Sequence, residues 1–258
     1  GCDYLDIVPD NLPTLEMAFN NKSSAERFLF TCYSFVPEHG KIGTDPGMDV
    51  GDEVWYYSDN SADYSNKTTF WIAKGMQNSN EPLVDYWNGT QWGKAMFVGI
   101  RDCNVFIENI EKVPDLSAYD KETWKAEAKV LKAFYHFWMM RMYGPIPIIK
   151  ENIPVSAGED EVRVVRDKID DIVTYIVSLI DESVEYLPLN IQNEAAEMGR
   201  ITRPAAKAIK AKILAFAASP FFNGNLDYAN FKNAEGEPFF NQVYDNEKWT
   251  KAADACLE

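Results

Sequence analysis

The chain has 258 residues, of which 46% are hydrophobic and 14% aromatic, enough to bury a full-sized core and to exclude disorder as its main state. Forty acidic residues against 25 basic ones give a formal net charge of −15, which repels a phosphate backbone and excludes nucleic acid as a partner. No apolar run approaches the roughly 20 residues needed to cross a bilayer, since even Leu131 to Met142 is interrupted by Lys132, His136 and Arg141, so the body of the chain is expected to be water-soluble.

In chain order, the opening Gly1-Cys2-Asp3-Tyr4-Leu5-Asp6 reads as a processed start, in which Cys2 follows a small residue as the lipid-bearing cysteine of a bacterial lipoprotein does; the alternative is an incidental thiol in a frayed tail. Ser23-Ser24-Ala25-Glu26 has the form of a capping box and predicts a helix over residues 23–36. Periodicity then disappears from Gly40 to Gly93, where glycine, asparagine and serine alternate with Trp55, Tyr56, Tyr57, Tyr64, Phe70, Trp71, Tyr86, Trp87 and Trp92.

Helical spacing returns from Lys94 to Pro114, and again from about Asp120 with two apolar stripes, one through Trp124, Leu131, Tyr135 and Trp138 and one through Val130, Phe134 and Phe137. Gly144 closes that helix and Pro145 and Pro147 enforce a rigid exit. The acidic loop Glu159-Asp160-Glu161 leads into a helix with Val165, Ile169, Ile172, Ile176, Leu179 and Val184 on one face. Thr202 caps a helix with Pro204 in its first turn and Ala206, Ile209, Ile213 and Phe216 toward the core. A last helix begins near Asp245 and its pattern is unfinished at Glu258. The expected fold class is mostly α, with stacked antiparallel helix pairs of tetratricopeptide-like form and long irregular loops.

Catalytic signatures are missing: there is no GxSxG, HExxH or GxxxxGK[ST]. His136 lies between Tyr135 and Phe137 and reads as a hydrogen-bonded core histidine. Four cysteines without CxxC spacing exclude a structural zinc site, and Cys32 and Cys103 fall on apolar helix positions as small, reduced, buried hydrophobes. No cofactor is implied; calcium is the one metal considered, at Asp45, Asp49, Asp52 and Glu53, although their order departs from an EF-hand.

The aromatic segment is the more informative feature. Flat rings on a loop stack on the C–H faces of pyranoses while neighbouring amides take the hydroxyls, so Trp55, Tyr57, Trp71, Tyr86, Trp87, Asn88 and Trp92, with Asn80 nearby, form a candidate glycan platform. The competing reading is that these rings staple a long loop to the helices.

The stretch Ala126-Glu127-Ala128-Lys129-Val130-Leu131-Lys132-Ala133-Phe134-Tyr135-His136-Phe137, running into Tyr143-Gly144-Pro145, resembles the SusD/RagB family of outer-membrane nutrient-binding lipoproteins, with Lys132 where the family usually has arginine. Cys2-Asp3-Tyr4-Leu5-Asp6, Gly99 to Glu108 and Arg203-Pro204-Ala205-Ala206 follow in the expected order. The resemblance implies a lipoprotein anchored to the outer face of the outer membrane through Cys2, with a tether over residues 1–22, an α-helical domain over 23–258 and an aromatic-rich loop over 40–93. It also implies non-enzymatic capture of oligosaccharide or polysaccharide for a TonB-dependent outer-membrane porin, and members longer than this chain. An α-helical glycoside hydrolase and a tetratricopeptide-type scaffold for protein or peptide remain the alternatives.

Overall fold

The computed structural model describes residues 15–38, 40, 45–51, 68–91 and 93–258. Cys2, His39, Asp52, Glu53, Trp55, Tyr57 and Trp92 lie outside them. Among the described residues the secondary structure is helical, with only isolated β-bridges, and no helix is long and apolar enough to cross a membrane.

After the short α1 (Leu15–Ala18) comes α2 (Lys22–Tyr33). Its cap is Asn21, whose side chain accepts from the Ser24 N–H at 2.9 Å, so the expected Ser23–Glu26 capping box is displaced by one residue type and two positions. The aromatic-rich segment contributes α3 (Pro46–Asp49) and α4 (Thr68–Ala73).

α5 (Met96–Asn109) lies against α2, and Gly99 is the residue that permits it: a Cβ there would meet the Phe35 ring at 2.8 Å and the Tyr135 ring at 3.2 Å. α6 (Ala118–Tyr143) is the central element, about 39 Å long. The Ser117 hydroxyl caps it by accepting from Asp120 N–H at 3.0 Å, and Gly144, at φ +70°, ends it. Both apolar stripes are used: α6 packs on α5 with one flank and on α8 (Ile169–Asp181) with another, which leaves Tyr135, Phe137, Trp138 and Met140 at 1% exposure or less.

The acidic Glu159-Asp160-Glu161 forms α7 (Glu159–Val162) rather than a loop, and α8 starts at Ile169, not before Val165, which is 76% exposed. The reason is a competing pairing. Asp167 donates its N–H to Ile146 O at 3.0 Å and accepts the Ile148 N–H at 2.7 Å on its carboxylate, holding residues 164–168 beside the proline-bounded exit. α9 (Glu194–Glu197) is a single turn; α10 (Arg203–Ala218), capped by Thr202, packs against α11 (Glu247–Leu257), and Ile209 and Phe216 are half-buried.

The exit Ile146 to Asn152 has no strand partner, so α6 side chains take up its backbone. Lys132 Nζ donates to Lys150 O at 2.6 Å; His136, fully buried, accepts the Ile149 N–H on Nε2 at 3.1 Å and places Nδ1 2.8 Å from Lys132 O. Those partners select the neutral Nδ1–H tautomer. Burial is the main cause that pulls the imidazole down to about 4 and the Lys132 ammonium down to about 8.

A histidine lowered from 6.5 to about 4 in the folded state supplies stability that is present above about pH 6.5 and lost as the pH falls toward 4. Between pH 7.5 and 5 the wild-type chain is therefore expected to lose about 2 kcal/mol more than His136→Gln, read from urea midpoints at the two pH values. Equal losses would mean that His136 is not neutral and buried in solution.

Candidate functional site

The turn from Val84 to Met96 is built around one carboxylate. Asp85, 4% exposed, accepts the N–H groups of Trp87 and Asn88 on Oδ1 at 2.9 and 3.0 Å, and the Thr90 hydroxyl and Asn88 amide on Oδ2 at 2.7 and 3.2 Å. Burial alone would raise its pKa, but these hydrogen bonds outweigh it and hold the carboxyl below its usual value. Gly93 lies so close beneath that a Cβ would fall 1.9 Å from Asp85 O, and Gly89 adopts φ +76°. Gln77 ties the preceding residues to the turn, accepting Leu83 N–H at 2.7 Å.

This scaffold sorts the aromatic candidates. Tyr86 is 3% exposed, edge-on to Trp138 at 5.5 Å between centroids; its N–H donates to Tyr143 Oη at 2.8 Å, and burial pushes its phenol up to about 12. It therefore supports the site from inside and offers no face to a ligand, correcting the expectation for that residue. Trp87 is half-buried, in T-shaped contact with Phe97 at 4.9 Å and Tyr143 at 5.6 Å between centroids and with the Arg166 guanidinium 5.1 Å from its own centroid. Asn88 is exposed beside it, its amide nitrogen directed to Asp85. Trp71, on α4, is 41% exposed with Lys74 Nζ 4.9 Å from its ring. Tyr86 thus packs as a staple, whereas Trp87 is half-buried and Trp71 exposed.

Asp85, Tyr143 and Arg166 were not among the candidates. Asp85 had a signal in Asp85-Tyr-Trp-Asn-Gly-Thr90, where an acid, an amide, a glycine and a threonine are the ingredients of a side-chain-bonded turn. Arg166 had none, because its approach depends on the exit segment folding back.

Two other polar centres are structural. Glu127, in the family-like motif of α6, receives Arg200 Nη2 at 2.7 Å and Nε at 3.1 Å and the Tyr33 hydroxyl at 2.5 Å, while Arg200 stacks over Trp124 at 5.2 Å. Both carboxylate oxygens are occupied, which leaves no base or nucleophile there. Asp45, considered for calcium, is 1% exposed, caps α3 through Gly47 N–H at 2.9 Å, accepts Gly40 N–H at 2.7 Å and pairs with Arg141 at 3.3 Å. The side chains of Asp49, Asp52 and Glu53 lie outside the described residues. Among the described residues no three His, Cys, Asp or Glu side chains gather as a metal site would require.

The described residues thus form a stack of helix pairs that carries an ordered aromatic turn. A model of the SusD-like family, described as starch-binding and associating with the outer membrane, matches residues 3–214, and the chain belongs to that family. A SusD-like protein of Bacteroides ovatus is 31% identical over 99 residues, covering 38% of this chain and 16% of its own length. The solved structure of BT4246 superposes with a TM-score of 0.75 at 30% identity over 92% of this chain and 39% of that one. A laminarin-binding SusD-like protein shares the fold, with a TM-score of 0.58 at 20% identity over 78% of this chain and 41% of that one. The chain thus spans well under half the length of these relatives.

Proposed function

We propose that this chain captures extracellular glycan at the bacterial surface without cleaving it, and that Trp87, Asn88 and Trp71 contribute to the contact. The observation that carries this reading is the Asp85-bonded turn, which holds an indole and an amide at the surface at no further ordering cost when a sugar arrives. Trp55, Tyr57 and Trp92 belong to the same proposed platform. Residues 1–22 would serve as tether, with acyl attachment at Cys2, and residues 23–258 as the binding body; delivery to a TonB-dependent outer-membrane porin completes the proposal. The family's starch-binding description and the laminarin-binding neighbour support a neutral glucan as the first ligand class to test.

The test is a panel of starch, laminarin and other polysaccharides, read by affinity electrophoresis and calorimetry with a parallel assay for reducing ends. Saturable binding of intact sugar is expected. Trp71→Ala and Asn88→Ala, at exposed positions, should weaken it about fivefold to tenfold with little change in thermal midpoint, and Trp87→Ala by tenfold or more. Reducing ends released in proportion to protein would support the hydrolase reading instead, and unchanged binding in all three variants would overturn the residue assignment.

A further inference from the structure

A cleft of about 620 Å³ opens beside the proposed platform, within the range of roughly 300–1,000 Å³ that small-molecule sites occupy. One wall is the segment 164–168 that precedes α8, and the other is the turn 232–239. Arg166 joins the cleft to the platform: it lines the cleft, donates to Pro145 O and holds its guanidinium 5.1 Å from the Trp87 centroid. The walls are fixed to each other, because Phe239 O accepts the Ile169 N–H at 3.0 Å and Lys168 pairs with Glu237 at 2.7 Å. The turn is also closed internally, with Asn233 accepting the Glu237 N–H on Oδ1 at 2.8 Å and donating its own N–H to Glu237 O at 2.9 Å. The cleft is therefore shaped before any ligand arrives.

Its polar groups divide into those already committed and those left over. Lys168, Glu237 and Asp167 are taken up by the contacts that hold the walls. Asp171, Lys232 and Glu235 are exposed, and their side chains make no hydrogen bond among the described residues. Two carboxylates and an ammonium offer both acceptors and donors, which is what sugar hydroxyls require. With Arg166 they carry as many positive as negative charges, so the cleft has no local excess to attract a uronate or sulfate. Phe231, 40% exposed, packs on Phe239 at 4.9 Å and adds a ring face beside the cleft.

We infer that the glycan site continues from Trp87 across Arg166 into this cleft, where Asp171, Lys232 and Glu235 hydrogen-bond the hydroxyls of further units of the same neutral oligosaccharide. The inference rests on the proposed capture of neutral glycan at Trp87, which it extends from a single platform to a track. Long chains are thereby preferred over short fragments, since each added sugar meets groups that are already in place.

Maltooligosaccharides and laminarioligosaccharides, from disaccharide to octasaccharide, are titrated by calorimetry into the wild type, Trp87→Ala and the double variant Asp171→Ala/Lys232→Ala. The double variant keeps the net charge, and both of its positions are exposed, so it should fold with an unchanged thermal midpoint. Wild-type affinity is expected to rise about tenfold from the short to the long members of the series that binds. The double variant should bind the short members as the wild type does and lose most of that rise, whereas Trp87→Ala should weaken both. Affinity independent of length, or a rise that survives in the double variant, overturns this inference and leaves the platform reading standing. Absence of saturable binding for every oligosaccharide overturns both. Tighter binding of oligogalacturonate than of either neutral series overturns the assignment of a neutral chain to the cleft.

Discussion

Glu127→Ala is expected to destabilise the chain by about 3–5 kcal/mol, the range for removing one member of a buried ion pair. The Glu127 side chain is 2% exposed and that of Arg200 7%, so the guanidinium left behind cannot regain water without opening the structure. Glu197 at 3.3 Å and Glu26 at 3.8 Å stay near Arg200, but both are partly exposed and neither replaces the two-pronged contact. The Tyr33 hydroxyl loses its acceptor as well, while still receiving Ile201 N–H at 2.9 Å. One substitution thus unsettles α2, α6 and the entry to α10. Glu127→Gln keeps the shape and part of the hydrogen bonding and should cost less. Urea unfolding with matched slopes measures both; a loss under 1 kcal/mol for the alanine variant would mean that water reaches the cluster and that it contributes little to the core.

Trp138→Ala should cost a similar amount, about 3–5 kcal/mol, through the cavity left when a large buried ring is deleted. Its second effect separates it from an ordinary core truncation. The Trp138 ring meets the edge of Tyr86 at 5.5 Å, packs on Phe134 at 6.1 Å and lies 4.1 Å from the Arg141 guanidinium, which in turn holds Asp45. Removing it takes away the floor beneath the Asp85 turn, so glycan binding is expected to fall even at temperatures where the variant remains folded. Trp138→Phe, which keeps a ring against Tyr86, should recover most of the binding and only part of the stability. If Trp138→Ala binds as tightly as wild type, the turn is held by Asp85 alone.

Much of the scaffold was legible because it depends on local rules. The two stripes of α6, its end at Gly144 and the Thr202 cap of α10 require only neighbours within a few residues. What escaped was non-local. Glu127 and Arg200 are 73 residues apart, and nothing in either neighbourhood names the other. Val165 fits a helical face by spacing, yet Asp167 hydrogen-bonds to the exit segment instead, taking up the Ile146 carbonyl and the Ile148 N–H of a backbone that has no strand partner. The site was half legible for the same reason. Aromatic abundance marks a segment, but whether a ring faces sugar or protein is decided by what lies beneath it, and Trp138 beneath Tyr86 comes from a helix far along the chain.

The crowding of Gly93 against Asp85 O has a bearing on how such a protein could be re-tuned. Gly93 lies against Asp85 O and Gly89 against Ala95 N with no room for a side chain, so a transplanted specificity loop must either retain both glycines or be spliced outside the turn. A side-chain exchange at Trp87 alters the surface while the Trp87 and Asn88 N–H groups stay on Asp85, whereas one at Asn88 also removes its amide's bond to Asp85 Oδ2. Swapped loops joined inside the turn should yield misfolded chimeras, whereas junctions before Val84 and after Met96 should yield soluble ones.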